Sequence, residues 1–133
     1  SAWQTVKALG AQHALGAQPV VAIQPMYNLV KRQAEVELLP MAASEGLAVF
    51  PYSPLGGGLL SGKYGVKDRP AGARITSWEI YKVRYGDDAT LAVADRFRAL
   101  AAELGHHPAS LAIAWVMSHP AVTAPIVAVP KMS

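Results

Sequence analysis

The sequence contains no cysteine, few charged residues and no long apolar run. Without cysteine the chain cannot form a disulfide framework or a thiolate metal site. The longest apolar runs, such as Leu47–Phe50 and Ile126–Val129, are far shorter than the roughly 20 residues that span a bilayer, so we expect no membrane partner. Residues 1–10 lack the basic and apolar segments of a signal peptide, and we therefore expect a cytoplasmic location.

The charge balance is only slightly basic. Against 9 Asp and Glu stand 12 Lys and Arg, a net charge of +3. The basic residues are scattered rather than clustered, so we expect an anionic small ligand and no nucleic acid. An apolar fraction of 52% and a mean hydropathy of +0.21 predict a folded globular chain. Its 133 residues fit one compact domain but fall short of the roughly 250 residues typical of a (β/α)8 barrel.

Helical and strand patterns alternate in the first part of the chain. Apolar spacing predicts a helix over 2–15. Val20–Ile23 is a β-branched run between two prolines, which predicts a strand buried on both faces. A second helix is predicted over 33–45, where Pro40 should kink or divide it. Leu47–Phe50 is predicted to be another buried strand.

The segment Ser53–Asp88 is rich in glycine and proline and is predicted to be a long ligand loop. A helix should follow over Thr90–Leu104, and Pro108 should open another. Their predicted buried stripes are Val93, Phe97, Leu100 and Leu104 in the first helix, and Leu111, Ala112, Trp115 and Val116 in the second.

Ile126–Val129 is predicted to be a third buried strand. Strands that alternate with helices predict a parallel α/β sheet. Three such strands cannot close a barrel, so they either form an open sheet or are completed by something that precedes Ser1; we favour the second interpretation.

The most informative stretch is Phe50–Tyr64, in which a strand runs into a glycine-rich turn. Backbone N–H groups in such a turn can approach a phosphate, and the Ser53 or Lys63 side chain can add donors. A flexible surface turn is the alternative. Gly57–Lys63 also spells most of a phosphate-binding P-loop, but Tyr64 stands where Ser or Thr must bind magnesium, so a nucleoside triphosphatase is disfavoured.

These residues resemble the aldo-keto reductase family. Tyr52-Ser53-Pro54-Leu55 and the following Gly58-Leu59-Leu60-Ser61-Gly62-Lys63-Tyr64 are similar to the seventh strand and loop of its barrel. Gln24-Pro25-Met26-Tyr27-Asn28 resembles the end of the sixth strand, and Leu111–Val116 with His119-Pro120 resembles the helix before the eighth. The resemblance is closest to the branch of bacterial reductases and potassium-channel β subunits. It implies that residues 1–133 form the C-terminal half of a (β/α)8 TIM barrel, approximately strands six to eight, with 53–88 as the cofactor loop.

The resemblance also implies cofactor-binding roles. Gln24 would hydrogen-bond the nicotinamide carboxamide, and Tyr52 would stack on the nicotinamide ring. The turn that contains Ser53, Pro54, Leu55 and Gly57 would contact the pyrophosphate. Lys63 and Arg74 would reach phosphate and adenosine.

Lys131 is similar to a lysine that meets the adenosine 2′-phosphate in another branch of the family, which implies NADP as the cofactor. Met132 departs from the serine that normally follows this lysine, so Lys131-Met132 is alternatively a chance match.

No residue matches the family's catalytic Asp, Tyr, Lys and His, which lie on its early strands. We therefore assign no catalytic residue and no metal ligand. His13, His106, His107 and His119 are expected to have structural roles.

The implied function of the intact protein is NADP-dependent reduction of aldehydes or ketones by hydride transfer. This chain alone is expected to be inactive, and to self-associate or pair with a missing N-terminal half. The alternative is a non-catalytic truncated or regulatory fragment that binds nucleotide or a partner polypeptide.

Overall fold

The computed structural model describes residues 1–128. This part of the chain is an α/β structure in which helices pack on one face of two short parallel strands. The elements in chain order are α1 (Ala2–Ala14), β1 (Ala22–Ile23), α2 (Leu38–Ser44), β2 (Ala48–Val49), α3 (Arg74–Ser77), α4 (Glu79–Tyr85), α5 (Asp88–Glu103) and α6 (Pro108–Met117). Two 3₁₀ segments, Gln33–Glu35 and Gly56–Ser61, lie between them.

Strands β1 and β2 pair in parallel, with Ala22 opposite Ala48 and Ile23 opposite Val49. Their pairing extends beyond the assigned strands, because the Tyr52 N–H donates to the Pro25 carbonyl at 3.0 Å. The alternation of strands and helices therefore predicted the parallel sheet correctly. The strands bring the segments after Ile23 and after Val49 to one end of the sheet.

The two faces of this sheet differ in burial. Side chains alternate along a strand, so Val49 and Tyr27 point to one face, where both are at most 1% exposed. That face packs on a core that contains Ala34, Leu39, Ala42 and Val116. The opposite face carries Gln24 and Tyr52, both exposed. The expected burial on both faces is thus wrong, because no second layer of the described chain covers this face.

The predicted helix over 33–45 is divided, as expected from Pro40, but the break lies before the proline. The 3₁₀ segment ends at Glu35 and α2 begins at Leu38. Pro40 lies in the first turn of α2, where a missing N–H leaves no intrahelical bond unmade.

The prediction of a loop over Ser53–Asp88 is wrong for much of its length. The 3₁₀ segment Gly56–Ser61 and helices α3 and α4 lie within it. Its side chains also build a core of their own, which comprises Leu59, Tyr64, Ile75 and Tyr85 together with Leu91 and Ala94 of α5. Burial of large aromatic side chains stabilises this segment despite its glycines and prolines.

Helix α5 is confirmed, but its predicted stripe is wrong in part. Asp87 caps α5 by accepting a hydrogen bond from the Thr90 N–H at 2.9 Å. Leu100 and Leu104 are 47% and 53% exposed. The buried residues are instead Leu91, Ala94, Phe97 and Ala101. Two of these four residues are alanines, which a pattern weighted by hydrophobicity overlooks.

Helix α6 begins at Pro108, as predicted, and His107 caps it by accepting from the Ala109 N–H at 3.2 Å. Ala112 and Val116 of its predicted stripe are buried.

The prediction of a buried strand over Ile126–Val129 is wrong for residues 126–128, and Val129 lies outside the described residues. The Ile126 N–H donates to the Pro51 carbonyl at 2.8 Å, so this segment runs beside β2. Neither Pro51 nor Pro125 has an N–H to extend a ladder, and Ile126 and Val127 are 41% and 55% exposed.

Within residues 1–128, no helix is both long and apolar enough to cross a bilayer.

Candidate functional site

The candidate site lies at the carboxyl end of the two strands, where parallel α/β folds bind ligands. Gln24 directly follows β1, and Tyr52 follows β2 at the level of Met26, with which it forms a parallel bridge. The alternation of the pleat places Gln24 and Tyr52 on the same open face. The Tyr52 side chain is 38% exposed. The structure thus leaves an amide and an aromatic ring accessible on one face.

A tight turn follows Tyr52 at once. The Gly56 N–H donates to the Ser53 carbonyl at 2.9 Å, and Leu55 has φ −92° and ψ 7°. These values, with proline at the second position, define a type I turn over Ser53–Gly56. Ser53 itself has φ +57°, which L-residues other than glycine rarely adopt.

Asn28 connects the segment after β1 to this turn, a role that the sequence did not predict. It is 0% exposed, and its Nδ2 donates to the Ser53 carbonyl at 2.9 Å and to the Tyr85 hydroxyl at 3.3 Å. Its Oδ1 accepts from the Val30 N–H at 3.1 Å. The available signal was a second polar residue after the apolar strand, at the end of the Gln24–Asn28 motif, and the resemblance implied no cofactor contact for that residue.

Two tyrosines of α4 lie beneath the turn. Tyr81 and Tyr85 stack with ring centroids 6.5 Å apart, and Tyr85 is fully buried. Burial raises the pKa of the Tyr85 hydroxyl above its ordinary value, and this hydroxyl donates to the Met26 sulfur at 3.5 Å. The turn therefore rests on α4 as well as on the end of the sheet.

Three consecutive glycines determine the backbone conformation at the end of the turn. Gly56, Gly57 and Gly58 have φ of +56°, +68° and +98°. A Cβ on Gly57 would lie 2.5 Å from the Tyr81 ring, so only glycine fits there. Gly57 and Pro54 are buried against the protein, whereas Ser53 and Leu55 are half-buried at the site. The structure thus brings Ser53 and Leu55, but not Gly57, to the accessible surface.

Two cations flank the glycines. The Lys63 Nζ lies 3.6 Å from the position of a Cβ on Gly58. The Arg74 guanidinium lies 5.8 Å from the centre of the Tyr81 ring, the ring that covers Gly57. The ion pairs formed within residues 1–128 use other arginines, so neither cation is neutralised by a carboxylate there. Their positions suit an anionic ligand.

The P-loop alternative is excluded by the packing of Tyr64. This side chain is 0% exposed, and its hydroxyl accepts from the Ile75 N–H at 3.3 Å. No α-helix of the described chain begins at Lys63, whereas a P-loop requires one.

A second polar cluster, also missed from the sequence, secures the segment after β1. The Tyr27 hydroxyl donates to Glu35 Oε1 at 2.6 Å, and Arg32 donates to both carboxylate oxygens at 2.9 and 2.8 Å. The bonds from Arg32 and then from Tyr27 hold the pKa of Glu35 below its ordinary value, and burial raises the pKa of Tyr27. The Tyr27 ring packs on Trp115 at 5.2 Å. This cluster faces the helices and is an anchor rather than part of the site.

His119 lies beside this cluster and, like His107, has a backbone role. Its Nδ1 accepts from the Ala121 N–H at 3.2 Å, and its ring meets Tyr27 edge-on. Lys131 lies outside the described residues, so its role stays a prediction.

The model of the aldo/keto reductase family matches residues 1–133. The chain belongs to this family.

Several curated relatives are similar to the chain over most of its length. An uncharacterized oxidoreductase, YrpG, of Bacillus subtilis (strain 168) is 38% identical over 125 residues, which cover 94% of this chain and 36% of the relative. A probable voltage-gated potassium channel subunit beta of Oryza sativa subsp. japonica is 37% identical over 135 residues, 98% of this chain and 41% of the relative. Protein tas of Escherichia coli (strain K12) is 34% identical over 113 residues, 85% of this chain and 32% of the relative. The chain therefore spans between 32% and 41% of the length of these relatives.

Proposed function

We propose that the intact protein that carries this chain reduces aldehydes or ketones with NADPH, and that this chain supplies cofactor-binding elements but no catalytic residue. The observation that carries the proposal is the common placement of Gln24 and Tyr52 on one open face beside the Ser53–Gly56 turn. Membership of the aldo/keto reductase family supports the oxidoreductase class.

The residues fit the chemistry of a nicotinamide dinucleotide. The Gln24 amide can both donate to and accept from a carboxamide, and the accessible Tyr52 ring can stack on a flat heterocycle. Ser53 and Leu55 belong to the turn, where a hydroxyl and backbone N–H groups can meet a pyrophosphate. Lys63 and Arg74 supply positive charge beside it. When bound, the cofactor supplies the hydride, while this chain orients it.

We further propose that the chain is the C-terminal half of a (β/α)8 barrel. The uncovered sheet face with Gln24 and Tyr52 would then be the interior of the barrel, and the helix-covered face its outer layer. Ile126, which lies beside Tyr52 and is 41% exposed, would be covered by the remaining strands. Pro54 and Gly57 would act by shaping the turn, because both are buried in this chain.

Turnover tests the proposal directly. The intact protein, with a panel of aldehydes and ketones, should oxidise NADPH, followed by its absorbance. The isolated 133-residue chain should show no turnover, because none of its residues matches the family's catalytic Asp, Tyr, Lys and His. General acid–base catalysis by such groups contributes typically about 10²–10⁴-fold to the rate. Robust turnover by the isolated chain as a monomer would contradict both the half-barrel placement and the absence of catalytic groups.

Cofactor preference is a separate prediction, which rests on Lys131. A cation at this position would pair with the 2′-phosphate that NADP has and NAD lacks, through a charge-assisted hydrogen bond worth roughly 1.5–3 kcal/mol. In the intact protein, Lys131→Met should weaken NADP binding about tenfold or more and leave NAD binding nearly unchanged. Equal losses for both cofactors, measured by fluorescence titration, would show that Lys131 does not recognise the phosphate.

The second candidate is a non-catalytic assembly role, in which the chain binds nucleotide or a partner polypeptide. It is favoured by the relatives named as potassium-channel β subunits and by exposed apolar side chains such as Trp3 (64%) and Val21 (70%). The isolated chain is expected to self-associate or pair with an N-terminal half under both candidates, and light scattering should show dimers or larger species. Turnover separates the two, because the non-catalytic candidate predicts that the intact protein does not oxidise NADPH.

A further inference from the structure

Two unusual residues of the described chain touch each other at the end of the sheet. Within residues 1–128 and apart from tyrosines, Asn28 is the only polar or charged residue that is buried. Within the same residues, Ser53 is the only non-glycine residue with positive φ. Asn28 Nδ2 donates to the Ser53 carbonyl at 2.9 Å. We propose that Asn28 is a positioning residue that holds the Tyr52–Leu55 segment in its cofactor-binding conformation. This inference rests on the proposed function.

The backbone conformation of Ser53 needs a stabilising contact. Its φ of +57° is unfavourable for an L-residue, and the following Pro54 further biases Ser53 towards extended backbone. The Gly56 N–H also donates to the Ser53 carbonyl, but this bond lies inside the turn and cannot fix the turn relative to β1. The Asn28 bond joins residues 25 positions apart and so provides that fixed reference.

The three contacts of Asn28 explain why an amide is needed. Its Oδ1 accepts from the Val30 N–H, which orients the amide so that Nδ2 faces both the Ser53 carbonyl and the Tyr85 hydroxyl. Aspartate could accept the Val30 bond, but it cannot donate to a carbonyl. A carboxylate would instead face the Ser53 oxygen, which repels it.

The consequence for binding is indirect. Tyr52 immediately precedes Ser53, and Leu55 follows two residues later, so relaxation of Ser53 would redirect both the ring and the turn. Asn28 itself contacts neither the open face nor the flanking cations, because it is fully buried. Its loss should therefore weaken cofactor affinity without removing any group that touches the cofactor.

The test is a double-mutant cycle in the intact protein, with NADPH affinity measured by fluorescence titration at a temperature well below the unfolding transition. Asn28→Asp should weaken binding about tenfold, the loss expected for one hydrogen bond together with an unsatisfied partner. Glycine adopts positive φ without strain, so the same change in a Ser53→Gly background should have a much smaller effect, about threefold or less. Tyr85→Phe is the matched control, because it removes the second Nδ2 partner and keeps the Ser53 bond; its affinity should stay near that of the wild type.

The outcomes separate the inference from the proposed function. If the wild type binds neither NADPH nor NADH, the proposed function fails and the inference fails with it. If the wild type binds and Asn28→Asp binds equally well, or loses the same factor in both Ser53 backgrounds, only the inference is overturned. Should Asn28→Asp not fold, hydrogen exchange of the wild-type Asn28 side-chain amide decides: protection is expected, and exchange as fast as that of the exposed Gln24 amide would overturn the inference.

Discussion

The two-stranded sheet and the connection that follows it both differ from what their sequences predict. The sheet would be expected to form the closed scaffold, yet one of its faces is open and carries Tyr52 at 38% exposure. The connection over 53–88 has the composition of a flexible loop, yet it buries Tyr64 and Tyr85 completely. The difference shows that the glycines of the connection allow its side chains to pack closely. The packed connection supports the turn, and the sheet presents Gln24 and Tyr52 on its open face.

The largest effect should follow from filling the space at Gly57. Gly57→Ala places a Cβ within 2.5 Å of the Tyr81 ring in a backbone with φ +68°. Overpacking and backbone strain together should lower the free energy of unfolding by about 2–4 kcal/mol. Chemical unfolding of the intact protein measures this change.

Gly72→Ala is the matched control for this prediction. Gly72 has φ +74° but nothing within 4 Å of its added Cβ, so it reports backbone strain alone, about 1 kcal/mol. If both variants lose the same stability, the connection is not packed around Gly57 and the comparison with the sheet breaks down.

A smaller effect is expected at the end of the connection. Asp87 caps α5, and the bonds from Thr90 hold the pKa of this carboxyl below its ordinary value. Asp87→Ala should destabilise the protein by about 1 kcal/mol, whereas Asp87→Ser, which keeps a capping oxygen, should restore most of the loss. Because the folded-state pKa is lowered, the contribution of Asp87 is present above its unfolded pKa and is lost as pH falls. Thermal unfolding near neutral pH and in acid measures both effects, and an alanine variant as stable as the serine variant would contradict them.

Local signals predicted much of the fold. Gly105 and Pro108 marked the boundary between α5 and α6, and the alternation of helix and apolar strand predicted the parallel pairing. Which side of a helix is buried was less predictable. The buried face of α5 includes Ala94 and Ala101, whose small size carries little pattern, while the larger Leu100 is exposed.

The candidate site was predictable only through the resemblance of its motifs. Gln24 and Tyr52 could be placed at strand ends from the sequence, and the structure brings them to one face. Asn28 could not be assigned, because its partners lie 25 and 57 residues away. Helices α3 and α4 were missed because the side chains that bury them, above all Tyr85, pack on residues distant in sequence.

The most direct test of the account is NADPH titration of the intact protein in three forms: wild type, Tyr52→Phe and Tyr52→Ala. Tyr52 is exposed and its ring can stack on the nicotinamide, so stacking worth about 0.5–1.5 kcal/mol should be lost only in the alanine variant. The account predicts that Tyr52→Phe binds like the wild type and that Tyr52→Ala binds roughly threefold to tenfold more weakly, with little change in unfolding free energy. Equal NADPH affinity in all three forms would contradict it.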